Sequence, residues 1–243
     1  MQLLLPPGSG ELSYDDVVEL YDYPPQRPWI RANFVSTLDG AVQGTDSKAG
    51  SLSSPADKRI LGVLRSLADV VVIGANTARV EDYQPVKSTD RRTTIRRRLG
   101  LSAGPAMAVV SRSLDIDWSL LVGGQGRTLV LTTQSASADK RRAISAANEV
   151  IIAGEDDVDF SRAVDELADR GYERVLCEGG PTLMHDVIAS GRLDELCLTL
   201  TTRLVSGRAL RLTNGEVLDP PYALRLTQLI EQDGELFARY TRA

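Results

Sequence analysis

The stretch 175–191, VLCEGGPTLMHDVIASG, decides the fold because it joins a strand to a helix through two glycines and a proline. The apolar residues before the glycines are typical of a buried strand, and Pro181 suits the first position of a helix. Free N–H groups at the start of such a helix carry partial positive charge and can bind a diphosphate. Glu178 lies directly before the turn, although its carboxylate would repel an anion bound there.

The glycine turn has two interpretations. Gly179 and Gly180 remove side chains at a place where a ligand could approach the backbone closely. Two glycines are also compatible with a tight turn that binds nothing. The turn matches neither the G-x-G-x-x-G fingerprint nor a P-loop, so it does not by itself choose between these interpretations.

Segments typical of strands and helices alternate along most of the chain. Uninterrupted apolar runs indicate strands covered on both faces, and they are DVVVIG (69–74), AMAVVS (106–111), TLVLTT (128–133), EVIIAG (149–154), RVLCE (174–178) and ELCLTL (195–200). The alternation predicts an α/β fold of three αβα layers, with helices on both faces of a mostly parallel central sheet.

Strand-like segments near the two ends of the chain have a different pattern. PWIRANFV (28–35) alternates apolar and polar residues, which is typical of a half-buried strand. YALRLTQLI (222–230) and ELFARYT (235–241) flank an Asp-Gly turn signal. This arrangement predicts a C-terminal antiparallel hairpin.

The length and composition favour one domain. The 243 residues are 42% hydrophobic, and no composition shift marks a linker, so we expect a single domain over 1–243. Residues 1–26 are expected to form an N-terminal extension with one short helix, SYDDVVELY, in which Ser13 and Asp16 have capping-box spacing.

Charge and residue usage exclude several classes of function. A net charge of −5 gives no general attraction to nucleic acid or an anionic membrane, and no apolar run is long enough to span a bilayer. The N-terminus lacks the features of a signal peptide, and two cysteines in apolar runs suit a reducing cytoplasm. With His185 as the one histidine, the sequence predicts no metal site.

Two polar features of the first half leave alternatives open. Asp57 follows Ser54 and Pro55 with capping-box spacing, so its carboxylate either caps a helix or faces a ligand. The segment 87–100, KSTDRRTTIRRRLG, holds six basic residues and one acidic residue. It is interpreted as a solvated helix or surface loop, with phosphate binding as the alternative.

Four blocks in this order together resemble one known family: NFVSTLDG (33–40), LRSLADVVVIGANTARVEDY (64–83), LCEGGPTLMHDVI (176–188) and LDELCLTLTTRLVSG (193–207). The chain is similar, from about residue 27 to 241, to the pyrimidine reductase domain of riboflavin biosynthesis. The resemblance implies a dihydrofolate-reductase-like fold, NADPH as the cofactor and a homodimer. It also implies that NADPH is the hydride donor for an aminopyrimidine ribosylamine 5′-phosphate of the 5-amino-6-(5-phosphoribosylamino)uracil type.

The resemblance also assigns the cofactor residues. Gly74, Ala75 and Thr77 would line the path of the cofactor, and the turn residues Gly179, Gly180, Pro181 and Thr182 would hold its diphosphate. Ser111 and Arg112 would receive the 2′-phosphate, unless they form an ordinary surface turn. Glu178 would accept N–H bonds from the nicotinamide carboxamide or the substrate base; the alternative is that it bonds the amides of its own turn.

The expected substrate residues are Asn33, Leu38, Asp57 and Asp82. Asp57, Asp82 and Glu178 are the candidate catalytic groups, and the required proton comes from Asp57, Asp82 or water. The family usually has a proline after the acid at position 82, where this chain has Tyr83. The departure leaves the substrate open between the riboflavin intermediate and another heterocycle such as dihydrofolate. A protein that binds NADP without catalysis is the third hypothesis.

The proposed chemistry is reduction of an imine. Opening of the sugar ring breaks the bond between C1′ and the ring oxygen and leaves a C1′=N imine, which takes up a hydride at C1′ and a proton at nitrogen. The sequence has neither the H-x-E nor the P-C-x-x-C pattern of a zinc deaminase. The chain is therefore expected to correspond at most to the reductase half of the bifunctional relatives.

Overall fold

The computed structural model describes residues 1–8, 10–116 and 126–243. Within them, one sheet has the strand order β1-β9-β10-β8-β2-β7-β3-β4-β5-β6. The strands are β1 Gln2–Leu5, β2 Trp29–Ser36, β3 Val70–Gly74, β4 Ala106–Val110, β5 Thr128–Thr132, β6 Glu149–Ile152, β7 Arg174–Cys177, β8 Glu195–Leu200, β9 Leu224–Gln232 and β10 Glu235–Arg242.

Helices cover both faces of this sheet. They are α1 Tyr14–Leu20, α2 Pro55–Leu67, α3 Ala75–Val80, α4 Asp90–Arg98, α5 Ala138–Ser145, α6 Phe160–Ala168 and α7 Pro181–Ala189, with a 3-10 turn at Ala49–Ser51. The buried side chains of α6 and α7 pack on one face, whereas those of α1, α2 and α4 pack on the other. No helix of the described ranges is both long and apolar enough to cross a bilayer.

The predicted fold class is confirmed. Strands β8, β2, β7, β3, β4, β5 and β6 run parallel, and β10 joins the sheet antiparallel to β8. Strands β9 and β10 form the predicted hairpin, whose turn residues Asp233 and Gly234 have φ values of 55° and 82°. Two successive residues with positive φ are what a two-residue turn of type I′ requires, and Asp-Gly suits it.

The prediction of a half-buried strand at 28–35 is wrong. Strand β2 lies between β7 and β8, and six of its eight residues are buried, so both of its faces are covered. Arg31 is fully buried, and its Nε lies 2.6 Å from Oε1 of Glu195, itself fully buried. A buried ion pair accounts for a polar residue in a covered strand, and the alternation of residue types was therefore misleading.

Three further features were not predicted. The N-terminal strand β1 pairs antiparallel with β9, which ties residues 2–5 to the sheet. A short helix, α3, follows β3 directly. The segment 87–100 contains α4, a helix as one of its interpretations had it, but Arg96 is unexpectedly buried and donates to the carbonyl oxygens of Ala68 and Ser102. The segment is thus partly structural, in addition to having an exposed face.

Candidate functional site

A cleft of about 890 Å³ opens where strands β2, β3 and β7 end. In open α/β sheets this edge is where ligands bind. The cleft brings together seven of the residues that the sequence predicts for the site, from five separate segments: Asn33, Asp57, Thr77, Asp82, Glu178, Gly180 and Pro181.

The glycine turn packs against the end of β3. The amide of Gly74 donates to the carbonyl oxygen of Gly179 at 2.7 Å. Gly74 and Gly179 do not line the cleft, whereas Gly180 does. A Cβ on Gly180 would lie 2.3 Å from Oγ1 of Thr77, and a Cβ on Gly179, whose φ is 91°, would lie 2.8 Å from the Phe34 ring. Both positions therefore require glycine.

Helix α7 begins at this turn without a capping side chain. Gly180 is the N-cap residue, and no side chain of the described residues bonds to the amides of the first turn. Its free amides can bind an anion, and the absence of a Cβ at Gly180 leaves the backbone accessible beside Thr77.

Glu178 is held by two partners inside the cleft. Arg65 of α2 donates through Nε to Oε1 at 2.8 Å and through Nη2 to Oε2 at 2.6 Å, and the Tyr83 hydroxyl contacts Oε2. Burial opposes the charge of Arg65, but Glu178 outweighs it and raises the pKa of the guanidinium. Burial, with Glu178 next, raises the pKa of Tyr83, which therefore stays a neutral phenol.

Asp57 is a buried carboxylate in the wall of the cleft. Its side chain is 3% exposed, and Oδ1 accepts a hydrogen bond of 2.7 Å from the hydroxyl of Thr199 on β8. No residue of the described ranges donates to Oδ2.

The expected capping box at this helix is only half formed. Ser54 accepts from the amide of Asp57 at 3.1 Å, but its own hydroxyl donates to Glu235 and the Asp57 carboxylate turns to Thr199. At α1, by contrast, Ser13 and Asp16 form both halves.

The loops after β2 and α3 enclose the cleft. Asp82 is exposed with a φ of 50°, and the neighbouring Glu81 accepts from the amide of Ala49 at 2.7 Å, which joins the two loops. Asp39 accepts from the amide of Ser206 at 2.6 Å and from the hydroxyl of Thr37, so it stabilises the turn. Leu38 is 63% exposed and lies outside the cleft.

The other expected cofactor residues lie outside the cleft lining. Ser111 is buried at the end of β4 and accepts from the amide of Leu114 at 3.1 Å. Arg112 is exposed and pairs with Asp157 at 2.5 Å. Ala75 and Thr182 also do not line the cleft.

Sequence reasoning missed several contributors to the site. Lys58 and Leu61 follow Asp57 on the face of α2 that also carries Arg65, a spacing that could have indicated a shared wall. Tyr83 was noted only as a departure from the family, without its bond to Glu178. No local signal in the sequence points to Thr199 as the partner of Asp57.

Comparison with known proteins places this geometry in a family. The model of the RibD C-terminal domain matches residues 28–235, which is most of the chain. The chain belongs to this family. The resemblance drawn from the four sequence blocks is therefore confirmed. The chain is an oxidoreductase that belongs to the pyrimidine reductase family of riboflavin biosynthesis.

Two curated relatives carry the same name, 2,5-diamino-6-ribosylamino-4(3H)-pyrimidinone 5′-phosphate reductase. The one from Archaeoglobus fulgidus is 28% identical over 216 residues, which cover 87% of this chain and 96% of the relative. The one from Methanothermobacter thermautotrophicus is 28% identical over 199 residues, covering 79% and 87%.

Solved structures agree with the fold. A pyrimidine reductase-like protein from Corynebacterium diphtheriae is 26% identical, with a TM-score of 0.79 and coverage of 89% of this chain and 92% of the other. The riboflavin biosynthesis reductase of Saccharomyces is 13% identical with a TM-score of 0.65, covering 93% and 95%, which shows a shared fold.

Proposed function

We propose that this chain is an NADPH-dependent reductase that delivers a hydride to C1′ of a pyrimidine ribosylamino 5′-phosphate in riboflavin biosynthesis. The observation that carries this proposal is the position of the buried Asp57 carboxylate in the same cleft as the uncapped turn at Gly180. Family membership and the names of the two curated relatives support it.

The residues at the turn fit a dinucleotide. The backbone at Gly180 and the first amides of α7 would hold its diphosphate, because a side chain there would collide with Thr77 and no protein group caps the helix. Glu178 does not approach the phosphates, since Arg65 and Tyr83 fix its carboxylate. When bound, the cofactor supplies the hydride, and the protein contributes alignment.

Asp57 supports a substrate with a 2-amino group. A 2-amino-4-oxopyrimidine presents an amino group and the ring N3–H side by side, which matches the two oxygen atoms of a carboxylate. A uracil edge places a carbonyl oxygen beside N3–H, and that oxygen would be repelled by Oδ2 of Asp57. The 2,5-diamino form of the substrate is therefore favoured over the 5-aminouracil form.

The protein must also provide a proton for the imine nitrogen. Asp57 and Asp82 both line the cleft, from α2 and from the loop after α3. Asp57 is fixed by Thr199, whereas Asp82 is exposed to solvent. We assign the orientation of the base to Asp57 and delivery of the proton to Asp82 or to water beside it.

The substitution Asp57→Asn tests the recognition of the base. The amide is isosteric with the carboxylate, and it offers one acceptor and one donor, which suits a uracil edge. We expect kcat/KM for the 2,5-diamino substrate to fall about tenfold to a hundredfold, and the preference for the 5-aminouracil substrate to rise. Equal effects on both substrates would exclude contact between Asp57 and the pyrimidine.

Dihydrofolate is a second candidate substrate, because its pterin carries the same 2-amino-4-oxo edge. Its reduction would place a hydride on C6 and a proton on N5. NADPH consumption with dihydrofolate and none with the riboflavin intermediate would select this candidate. NADPH binding without turnover of either would leave only a nucleotide-binding role.

The remaining assignments belong to the same proposal. We place the 2′-phosphate of NADPH at Arg112, which would exchange its exposed partner Asp157 for the phosphate. We also propose a cytoplasmic homodimer. Sedimentation equilibrium of the purified chain tests the dimer, and a monomer at micromolar concentration would contradict it.

A further inference from the structure

The cationic side chains that line the cleft differ in their partners. They are Lys58, Arg65, Lys87 and Arg92. Arg65 is neutralised by its two-point ion pair with Glu178. The side chains of the other three form no hydrogen bond or ion pair with any residue that the structure describes.

Helix α4 directs one of its five arginines into the cleft. The helix packs on α2, and Arg96 fixes it there by donating to the carbonyl oxygens of Ser66 and Ala68. Arg91 lies over the ring of Tyr14, with 4.9 Å from Cζ to the ring centre. Arg97 and Arg98 are exposed away from the cleft, so Arg92 alone of this helix lines it.

The guanidinium of Arg92 has no hydrogen-bonded or ion-paired partner among the residues that the structure describes. Its Nε is buried from solvent and has no partner in the described part of the chain. Burial, followed by the nearby charge of Arg65, lowers the pKa of its guanidinium. Arg92 is half-buried, and a partly desolvated cation whose Nε meets no acceptor is unfavourable; structures normally satisfy such groups with a ligand, water or a counter-ion.

We propose that Arg92, flanked by Lys58 and Lys87, binds the phosphoryl group of the substrate. This inference rests on the proposed function, because it assigns the 5′-phosphate of the substrate to a defined wall of the cleft. A guanidinium offers two parallel N–H donors that match a phosphate, and lysines add charge from α2 and from the loop before α4. The backbone turn at Gly180, a separate element, remains for the cofactor.

The test compares Arg92→Ala with Arg97→Ala, which removes the same charge from the exposed side of the same helix. Binding of ribose 5-phosphate and of ribose is measured by calorimetry without cofactor. We expect wild-type protein and Arg97→Ala to bind ribose 5-phosphate with the same Kd, and Arg92→Ala to bind it at least about tenfold more weakly. Ribose, which lacks the phosphate, should bind all three proteins with the same Kd.

Kinetics separate the substrate phosphate from the phosphates of the cofactor. We expect Arg92→Ala to raise KM for the phosphorylated substrate about tenfold, while the Kd of NADPH stays within twofold. A raised Kd for NADPH with unchanged ribose 5-phosphate binding would overturn the inference, since the site would then belong to the cofactor. Unchanged binding of both ligands would overturn it as well.

Two further measurements keep the outcomes distinct. If wild-type protein binds ribose 5-phosphate through Arg92 but reduces no pyrimidine substrate, the phosphoryl site stands and the proposed function fails. If Arg92→Ala does not fold, Arg92→Lys retains the charge; it must then bind ribose 5-phosphate more tightly than Arg92→Gln, and equal binding by these two variants would overturn the site.

Discussion

Arg65 and Glu178 form a two-point ion pair in the wall of the cleft, with 2.8 Å between Nε and Oε1 and 2.6 Å between Nη2 and Oε2, although 113 residues separate them. The pair connects α2 to the end of β7 and places the neutral hydroxyl of Tyr83 beside it. Glu178 is thereby kept away from the phosphates that the adjacent turn is expected to bind.

The first prediction concerns this ion pair. Arg65→Met leaves the Glu178 carboxylate, 7% exposed, with the Tyr83 hydroxyl as its one remaining partner among the described residues. We expect a loss of about 2–4 kcal/mol in the free energy of unfolding. Urea denaturation measures it, and the double variant Arg65→Met/Glu178→Gln should recover part of the loss. No recovery in the double variant would mean that the two charges are not coupled.

The second prediction concerns the glycine turn. Gly180→Ala places a Cβ 2.3 Å from Oγ1 of Thr77, so the turn must shift and NADPH should bind at least about tenfold more weakly. Gly62→Ala is the matched control, because it lies within α2 with no atom near its Cβ position. We expect the control to keep the Kd of NADPH and to gain up to about 1 kcal/mol in stability. A fluorescence titration with equal Kd values for the two variants would remove the diphosphate from this turn.

The third prediction concerns the buried charges in the sheet. Burial opposes the ionisation of Glu195, but Arg31 and Arg239 outweigh it and lower its pKa. A carboxyl whose pKa is lower in the folded state adds stability above its unfolded pKa, about 4.3, and loses it as the pH falls through the folded value. Glu195→Gln should therefore cost about 3–5 kcal/mol at neutral pH.

The pH dependence provides the check on this prediction. The difference in unfolding free energy between wild-type protein and Glu195→Gln should stay constant from about pH 7 to pH 5 and shrink below about pH 4. A difference that is independent of pH throughout this range would show that the ionised form of Glu195 is not what the sheet stabilises.

The fourth prediction concerns cofactor preference. Arg112→Ala should weaken NADPH by about tenfold to a hundredfold and leave NADH unchanged, because a charge-assisted bond to the 2′-phosphate contributes about 1.5–3 kcal/mol. Titrations with both cofactors test it. Equal losses for the two cofactors would leave Arg112 as no more than the surface partner of Asp157.

The sequence predicts the layers of this fold well because its local signals agree with the tertiary structure. Apolar runs such as DVVVIG are covered strands, and the Asp-Gly pair at 233–234 forms the expected turn. The prediction from sequence fails at β2, where Arg31 is buried because Glu195 pairs with it from β8. Local alternation carries no information about a partner 164 residues away.

In the candidate site, too, groups with a local sequence signature were predicted, whereas their partners from distant segments were not. The glycine turn and Asp57 have local signatures, a strand-to-helix junction and a capped helix start, and both line the cleft. The partners that orient these groups come from distant segments, since Thr199 reaches Asp57 from β8 and Arg65 reaches Glu178 from α2. Such contacts arise only when the sheet is assembled.

The most direct measurement is NADPH oxidation by the purified chain with 2,5-diamino-6-ribosylamino-4(3H)-pyrimidinone 5′-phosphate, with mass spectrometry of the product. We expect one NADPH consumed for each product molecule, which gains two hydrogen atoms as the ribosyl group becomes ribityl. No turnover of this substrate by a folded chain that binds NADPH would contradict the assignment of the cleft.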